Sequence, residues 1–406
     1  MFLTQQTTIK SSNSLYREID QLCFLSKNLY NVGNYIIRNE FINNGKWIRY
    51  HQLANDLKNN VDFQALPSKV SQLVLMNLDR NWKSFFRAIK EWKKCPDKFK
   101  GKPSLPKYKH KTKGRNILIY NNQAFSKKEL KKGLIVPSKT NLKIPCDKQN
   151  VMEVRITPKN KQYVIEIVYE KEVKPKNKCN RNFLSIDLGV NNLCAITSNR
   201  AGFNPRLING KTLKSINQFY NKKKSKYQSE LPKNVYTSDK IIRLTNKRND
   251  KIKHHLHNIS KYIVNMAIEN EINTIVCGHN KQWKNDINIG KRNNQTFTNI
   301  PHSKLMDMLK YKCELNGIIF VQVDEAYTSK CSLIDMETIK KHDTYVGKRI
   351  KRGLFQTKEN KKINADINGS GNILRKAFGD DVFTSNSIEG FVVSPRKVTF
   401  SEHIFQ

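Results

Sequence analysis

The sequence predicts an α/β domain in the C-terminal half, joined to a β-rich N-terminal domain that carries a helical insertion. Three observations support this division. The stretch FLSIDLGVNNLCAITS, Phe183 to Ser198, sets two short apolar runs either side of a tight turn expected through Asn191 and Asn192, with Asp187 at the centre of the first. After it, apolar runs of strand length alternate with runs of helical spacing, the mark of an α/β order. Before it, short strands follow one another between residues 117 and 169 with little helix among them.

The 406 residues are enough for roughly two to four compact units. Lys and Arg number 74 against 34 Asp and Glu, a net charge of +40. A surface so cationic calls for a polyanion, and nucleic acid is the leading partner. An anionic membrane surface is the second choice. No apolar run reaches the roughly 20 residues of a membrane span, and no signal-peptide core opens the chain, so no membrane partner is expected. The eight cysteines form no CxxC pair, which fits a reducing, cytoplasmic setting without a disulfide framework.

Taken in order, residues 1–10 predict a first strand, followed by a helical region over 11–98. Ile19, Leu22, Leu25, Leu29, Val32 and Ile36 keep a helical period. A second helix is expected from Ser68, read as its N-cap, with a stripe from Val74 through Trp82 to Trp92. That stripe reads as core, with Arg80, Lys83, Arg87 and Lys90 outward. Residues 93–115 mix lysine with proline and glycine, which excludes a regular helix. The segment is either a solvated linker or a phosphate-gripping loop. The second reading is preferred, with Lys100, Lys102, Lys107 and Lys109 on phosphates and Phe99 and Tyr108 for stacking. NILIY, GLIVP, NLKIP, VMEVRITP and QYVIEIVYE predict strands that, with the first, close a small antiparallel barrel over 99–178.

The next domain spans 179–378. RLINGKTLKSI predicts its third strand, followed by a long helix with Thr245, Ile252, Leu256, Ile259, Ile263 and Met266 on one side. TIVCG predicts a strand, Ser303 to Asn316 a helix, GIIFVQVDE a strand, and Asp366 to Phe378 a final helix stopped at Gly379. A polar, basic segment at 327–362 interrupts this order. Residues 379–406 read as an unpatterned tail. Three strands, helix, strand, helix, strand, helix is the order of the RNase H-like fold. A carboxylate is costly to bury without a cation, so Asp187 in a strand centre reads as a metal ligand. Glu325 at the end of VQVDE and Asp366 at a helix N-terminus complete a candidate set, Asp366 also favoured by the helix dipole. Asp324 is expected to face away.

Taken together, Asp187-Leu-Gly-Val-Asn-Asn-Leu, the segment 278–317, Glu325-Ala-Tyr-Thr-Ser-Lys, GKRIKRGLF (347–355) and Asn364-Ala-Asp-Ile-Asn-Gly resemble the TnpB (OrfB-type) family of bacterial insertion sequences. That family is related to type V CRISPR effectors. The resemblance covers most of 183–378; the N-terminal half matches in layout and in KGKPSLPKYKHK. It implies an RNA-guided DNA endonuclease with a RuvC-like domain, an N-terminal wedge barrel and a helical recognition insertion. It further implies guide RNA and target double-stranded DNA as partners, Mg2+ or Mn2+ as cofactor, and a bacterial cytoplasmic setting, nucleoid-associated when bound to DNA. Asp187, Glu325 and Asp366 would be catalytic and would hold the metal. Lys281, Lys284, Lys330, Arg349 and Arg352 join the N-terminal lysines as candidate nucleic-acid contacts.

Two departures from the family pattern stand out. The usual second acid, after the fourth strand, is absent from Cys277-Gly278-His279, and Glu325 on the next strand is read as its substitute, a gap of about 4.8 Å that Glu can span. The family's four-cysteine zinc ribbon is reduced to Cys331, so zinc is not expected and the insertion is read as a metal-free hairpin. Rival functions are a nuclease-inactive RNA-guided regulator, a DNA transposase and a purely structural RNA-binding protein.

Overall fold

A computed structural model describes residues 1–175, 180–280, 290, 294–295, 298–383 and 394–400. The chain divides into two compact units, Met1–Lys171 and Glu172–Gln406.

In the first unit the chain runs through β1 (Phe2–Ile9), α1 (Tyr16–Asn44), α2 (Tyr50–Leu57), α3 (Val61–Gln64) and α4 (Ser68–Lys94). It continues with β2 (Leu118–Asn121), α5 (Lys127–Lys131), β3 (Leu134–Ile135), β4 (Ile144–Pro145), β5 (Val151–Lys159) and β6 (Gln162–Glu170). The helices do lie between the first and second strands in sequence. The strands form an antiparallel sheet in the order β1–β6–β5–β2, with β3 and β4 as a separate pair. Where a closed barrel was expected, the hydrogen-bonded sheet is open at β1 and β2 among the described residues. Its apolar face supplies Leu118, Val154, Ile156, Ile165 and Ile167 to a core shared with Ile19 and Cys23 of α1. A second core joins α1, α2 and α4 around Leu29, Ile37, Leu53, Leu75, Leu78 and Trp82. Trp82 is fully buried, as its stripe predicted. Ser68 is the first helical residue rather than the cap; Pro67 precedes it and no side chain caps that end.

The basic segment before β2 has no regular structure, and it is not a free linker. Its backbone is laced to α1: Asn34 Nδ2 and the Arg38 guanidinium donate to the Pro106 carbonyl, each at 3.0 Å. Asn31 Nδ2 donates to Lys109 O at 2.9 Å and Asn31 Oδ1 accepts from Lys109 N at 2.9 Å. Lys27 Nζ donates to Lys111 O at 2.7 Å. With the backbone held inward, Lys100, Lys102, Lys107 and Lys109 stay exposed.

The second unit is built on a six-stranded sheet, β11–β10–β7–β8–β9–β15. Its strands are β7 (Phe183–Leu188), β8 (Asn192–Ser198), β9 (Arg206–Asn209), β10 (Thr274–Gly278), β11 (Ile319–Val323) and β15 (Arg396–Val398). Its helices are α6 (Lys211–Ser229), α7 (Asp239–Glu269), α8 (His302–Leu315) and α9 (Ala365–Phe378). β7, β8 and β9 are antiparallel, while β10 and β11 run parallel to β7. A three-stranded sheet of β12 (Lys348–Lys351), β13 (Leu354–Gln356) and β14 (Lys362–Asn364) fills part of the interruption before α9.

Three expectations are corrected here. RLINGKTLKSI is not one strand: β9 ends at Asn209 and α6 begins at Lys211, because the KTLKSINQF period is helical and buries Leu213 and Asn217. The turn after β7 takes Gly189 to Asn191, so Asn192 belongs to β8, paired with Asn209. The C-terminal stretch is not wholly unpatterned: β15 pairs in parallel with β9, and Phe400 enters the core.

Strand alternation positions the site. Leu184, Ile186 and Leu188 of β7 face the core shared with α7 and α8, as do Ile275 and Cys277 of β10. Ser185 and Asp187 therefore face the opposite side, where α9 packs. Ser185 Oγ donates to the Ser370 carbonyl of α9 at 2.7 Å.

Candidate active site

The three sequence-selected acids come from three elements of this one unit. Asp187 lies on β7, one residue before its end, on the α9 side. Asp366 is the second residue of α9, whose N-cap is Asn364; the Asn364 side chain accepts from the Asp366 and Ile367 amides at 3.0 and 3.2 Å. Glu325 lies two residues past β11, and its amide donates to Asn280 Oδ1 at 3.1 Å.

Glu325 reaches across the end of β10. A Cβ built on Gly278 would sit 2.8 Å from Glu325 Oε2 and 2.5 Å from Ile373 Cδ1 of α9. The absence of a side chain at 278 is what makes room for the carboxylate. Cys277 pairs with Ile186, so one register step further sets position 278 beside Asp187 on the same face. A Cβ on Gly369, one turn into α9, would sit 2.8 Å from Asp187 Oδ2. Two glycines thus let two carboxylates into one narrow space.

The electrostatics record that crowding. Burial first, then the charges of Glu325 and Asp366, push the Asp187 carboxyl up to about 8, with Arg349 pulling the other way. Burial, then the charge of Asp324, pushes Glu325 up to about 7. Among the described residues, Glu325 Oε2 is buried with no hydrogen-bond partner, while Oε1 accepts from Asn280 at 3.4 Å. A buried carboxylate oxygen without a donor is costly and marks a place for a cation. Asp366 is already engaged: Oδ2 accepts from Asn192 Nδ2 at 2.7 Å and Oδ1 pairs with Arg349 at 3.4 Å. Among the described residues no three acidic, His or Cys side chains stand in a cation-holding group. The donor chemistry, all carboxylate oxygen, suits Mg2+ or Mn2+.

Asp324 points away as expected, exposed and paired with Lys376 Nζ at 2.9 Å. Of the remaining candidates, Lys330 is exposed beside the Tyr345 ring, 5.7 Å from its centroid, and Arg352 is exposed after β12. Lys281 and Lys284 lie outside the described residues. Arg349, expected as a phosphate contact, is exposed and pairs with the Asp366 carboxylate. Cys331 Sγ donates to the carbonyls of Thr338 and Lys340 at 3.5 and 3.7 Å, and His342 Nε2 lies 2.7 Å from the Thr338 carbonyl.

Several site residues were not singled out from the sequence. Asn191 and Asn192 were read only as turn formers, yet Asn192 holds Asp366 and Asn191 accepts from Lys214 of α6. Gly278 was read as a lost acid, not as a made space. The available signal was the pair of asparagines that follows, across Gly189 and Val190, a strand carrying Asp187 near its end.

Comparisons with known proteins bear on the chain as a whole. The family model OrfB_IS605, described as a probable transposase, matches residues 166–284, and the Cas12f1-like TNB domain model matches residues 302–373. A TnpB-like protein, ORF457 of Acidianus two-tailed virus, is 24% identical over 430 residues, covering 94% of this chain and 88% of that protein. The solved Cas12f1–sgRNA–target DNA complex matches 89% of this chain and 82% of its own, with a TM-score of 0.54 at 15% identity, a likeness of fold. The chain is thus similar in sequence to a TnpB-like protein along most of its length, matches the OrfB_IS605 and Cas12f1-like TNB models over two separate segments, and shares the fold of Cas12f1.

Proposed function

We propose that this chain is an RNA-guided DNA endonuclease of a transposable element, which binds a guide RNA and cleaves the matching double-stranded DNA by phosphodiester hydrolysis. The observation that carries the reading is the approach of Glu325 to Asp187 at the end of β10, with the Asp366 charge bearing on Asp187 and Glu325 Oε2, among the described residues, buried without a donor. A purely structural RNA-binding protein has no use for such crowding, which costs stability. The relatives reported above support the same reading. In it, the open N-terminal sheet serves as the wedge, α1 to α4 as the recognition insertion, and the exposed strap lysines as phosphate contacts.

Asp187, Glu325 and Asp366 would hold Mg2+ or Mn2+, and zinc has no part. Divalent ions there supply positive charge to the scissile phosphate and ease the formation of a nucleophile from water. The chain's own residues do the placing. Asn192 fixes the Asp366 carboxylate, Asn280 fixes both the amide and one oxygen of Glu325, and Gly278 and Gly369 keep the approach open. Arg349 brings a guanidinium to the rim, where a phosphate would meet it.

A second reading is a nuclease-inactive, RNA-guided regulator of DNA. The observation in its favour is the Arg349–Asp366 pair, which occupies one of the three acids. One experiment separates the two. The protein is expressed with its flanking DNA, the co-purified RNA is sequenced, and a matching duplex is offered with and without Mg2+. Cleavage that needs both Mg2+ and Asp187 supports the nuclease. Specific binding with no cleavage supports the regulator, and no bound RNA overturns both.

A further inference from the structure

α6 and α7 pack along one another and leave between them a groove of about 590 Å³ that plays no part in the site described above. Its lining includes Lys211, Lys247, Arg248 and Lys251 with Phe219 and Tyr220, and none of the described lining residues is acidic. All six charged residues within α6 are lysines. Phe219 is 59% exposed, so it does not serve the core. Tyr220 is held in place: its hydroxyl lies 3.2 Å from Thr245 Oγ1, and the Arg248 guanidinium stands 5.5 Å from its ring centroid. Arg248 is fixed in turn, donating to the buried Asn217 Oδ1 at 2.7 and 2.8 Å and to the Asn299 carbonyl at 3.0 Å.

We propose that this groove binds an unpaired nucleic-acid strand, with Phe219 and Tyr220 stacking on bases and the lysines tracking phosphates. The two chemistries together select the ligand. Cations alone would serve any polyanion, a duplex included. An exposed ring beside a fixed ring is useful only to a base whose face is free, as in a single strand. The groove's size lies within the usual range for a bound ligand of nucleotide dimensions.

Its position adds a direction. The amide of Gly210, just before α6, donates to the Asn191 carbonyl at 2.8 Å, and Lys214 donates to the Asn191 side chain. The neighbouring Asn192 holds Asp366. The groove therefore starts beside the candidate active site, so a strand lying in it would be the single-stranded stretch next to the scissile phosphate. That last step rests on the function proposed above; the binding does not.

The test uses the full chain with its co-purified RNA, in EDTA so that cleavage plays no part. Strands of fifteen thymidines or fifteen uridines, each with one iodinated base, are photo-crosslinked at near-physiological salt and the adducts mapped by mass spectrometry. Adducts on the peptide containing Phe219 and Tyr220 are expected. Phe219→Leu should lower that yield and weaken binding by about tenfold, Phe219→Trp should keep both, and a duplex of equal length should not respond to either change. Reaction of the thymidine strand alone, the uridine strand alone or both identifies DNA, RNA or either as the occupant. Adducts confined to other peptides, equal binding by Phe219→Leu, or an equal loss with the duplex would overturn the proposal. Because binding is read without cleavage, an inactive nuclease would leave the result standing.

Discussion

At the scale of single residues, the candidate site depends on where a side chain is missing. Gly278 ends β10 beside Asp187, and the Glu325 carboxylate, from just past β11, occupies the space that a side chain at 278 would take. Gly278→Ala should therefore displace Glu325 and cut cleavage of a guide-matched duplex by an order of magnitude or more, with guide-RNA binding unchanged. Gly278→Glu combined with Glu325→Ala moves the carboxylate back and should recover part of the loss. Failure of that double variant to exceed Glu325→Ala would show that the two positions do not serve one slot. A second expectation concerns pH. The folded-state carboxyls of Asp187 and Glu325 lie at about 8 and about 7, above their ordinary values. The folded chain then binds more protons than the unfolded chain between roughly pH 4 and 8, so this pair makes stability fall as pH rises through that window. Asp187→Asn should raise the melting temperature of the metal-free protein at pH 8.5 and by clearly less at pH 5, where less of the linkage cost has accrued. Thermal melts at the two pH values check this; equal effects would mean that Asp187 is not held in its neutral form. Much of the site was legible in the sequence because acids in strand ends are conspicuous. The asparagines and glycines that arrange those acids were not, since their roles depend on register between strands far apart in sequence.

At the scale of elements, the basic strap between α4 and β2 shows how a segment without secondary structure is kept in place. Asn34 is the central tie: its side chain donates to the Pro106 carbonyl and accepts from Trp82 Nε1 at 3.0 Å, deep in the helical core. Asn34→Ala leaves the Trp82 N–H buried without a partner, a loss of about 1–3 kcal/mol. It should also loosen Lys107 and Lys109 and weaken guide-RNA binding several-fold. Urea unfolding and RNA titration of the same variant check both halves. A destabilised protein with unchanged RNA affinity would show that the strap does not present phosphate contacts. The strap's lysines could be read from the sequence, but its anchorage could not, because the asparagines that hold it lie about seventy residues away on α1. Element types were legible wherever the hydrophobic period was long, as in α1, α4 and α7. Short elements escaped: α2, α3 and α5 have few buried positions, and β15 has only three residues whose partner, β9, is remote in sequence.

At the scale of the whole molecule, the charge of +40 should govern affinity more than any single contact. Among the described residues, the strap lysines Lys100, Lys102, Lys107 and Lys109 stay exposed, α6 carries six lysines and no acid, and the β12–β13 hairpin adds Lys348, Lys351 and Arg352 beside the Asp366-paired Arg349. Such cations displace condensed counterions when a nucleic acid binds, and each neutralised phosphate adds about 0.7 to 0.9 to the slope of log affinity against log salt. If the strap, the groove and the hairpin together take about six to ten phosphates, affinity should fall by about 10³ to 10⁵ between 50 and 200 mM salt. The same reasoning assigns shares to the elements. Lys107→Gln with Lys109→Gln should lower the slope for guide RNA by between one and two, leaving the slope for a short single strand almost unchanged. Lys247→Gln with Lys251→Gln should do the reverse. Titrations of the two double variants over a salt series would read both slopes. A flat salt response, or an equal loss for both ligands in both variants, would mean that the cations act as a diffuse cloud rather than as separate tracks for separate strands.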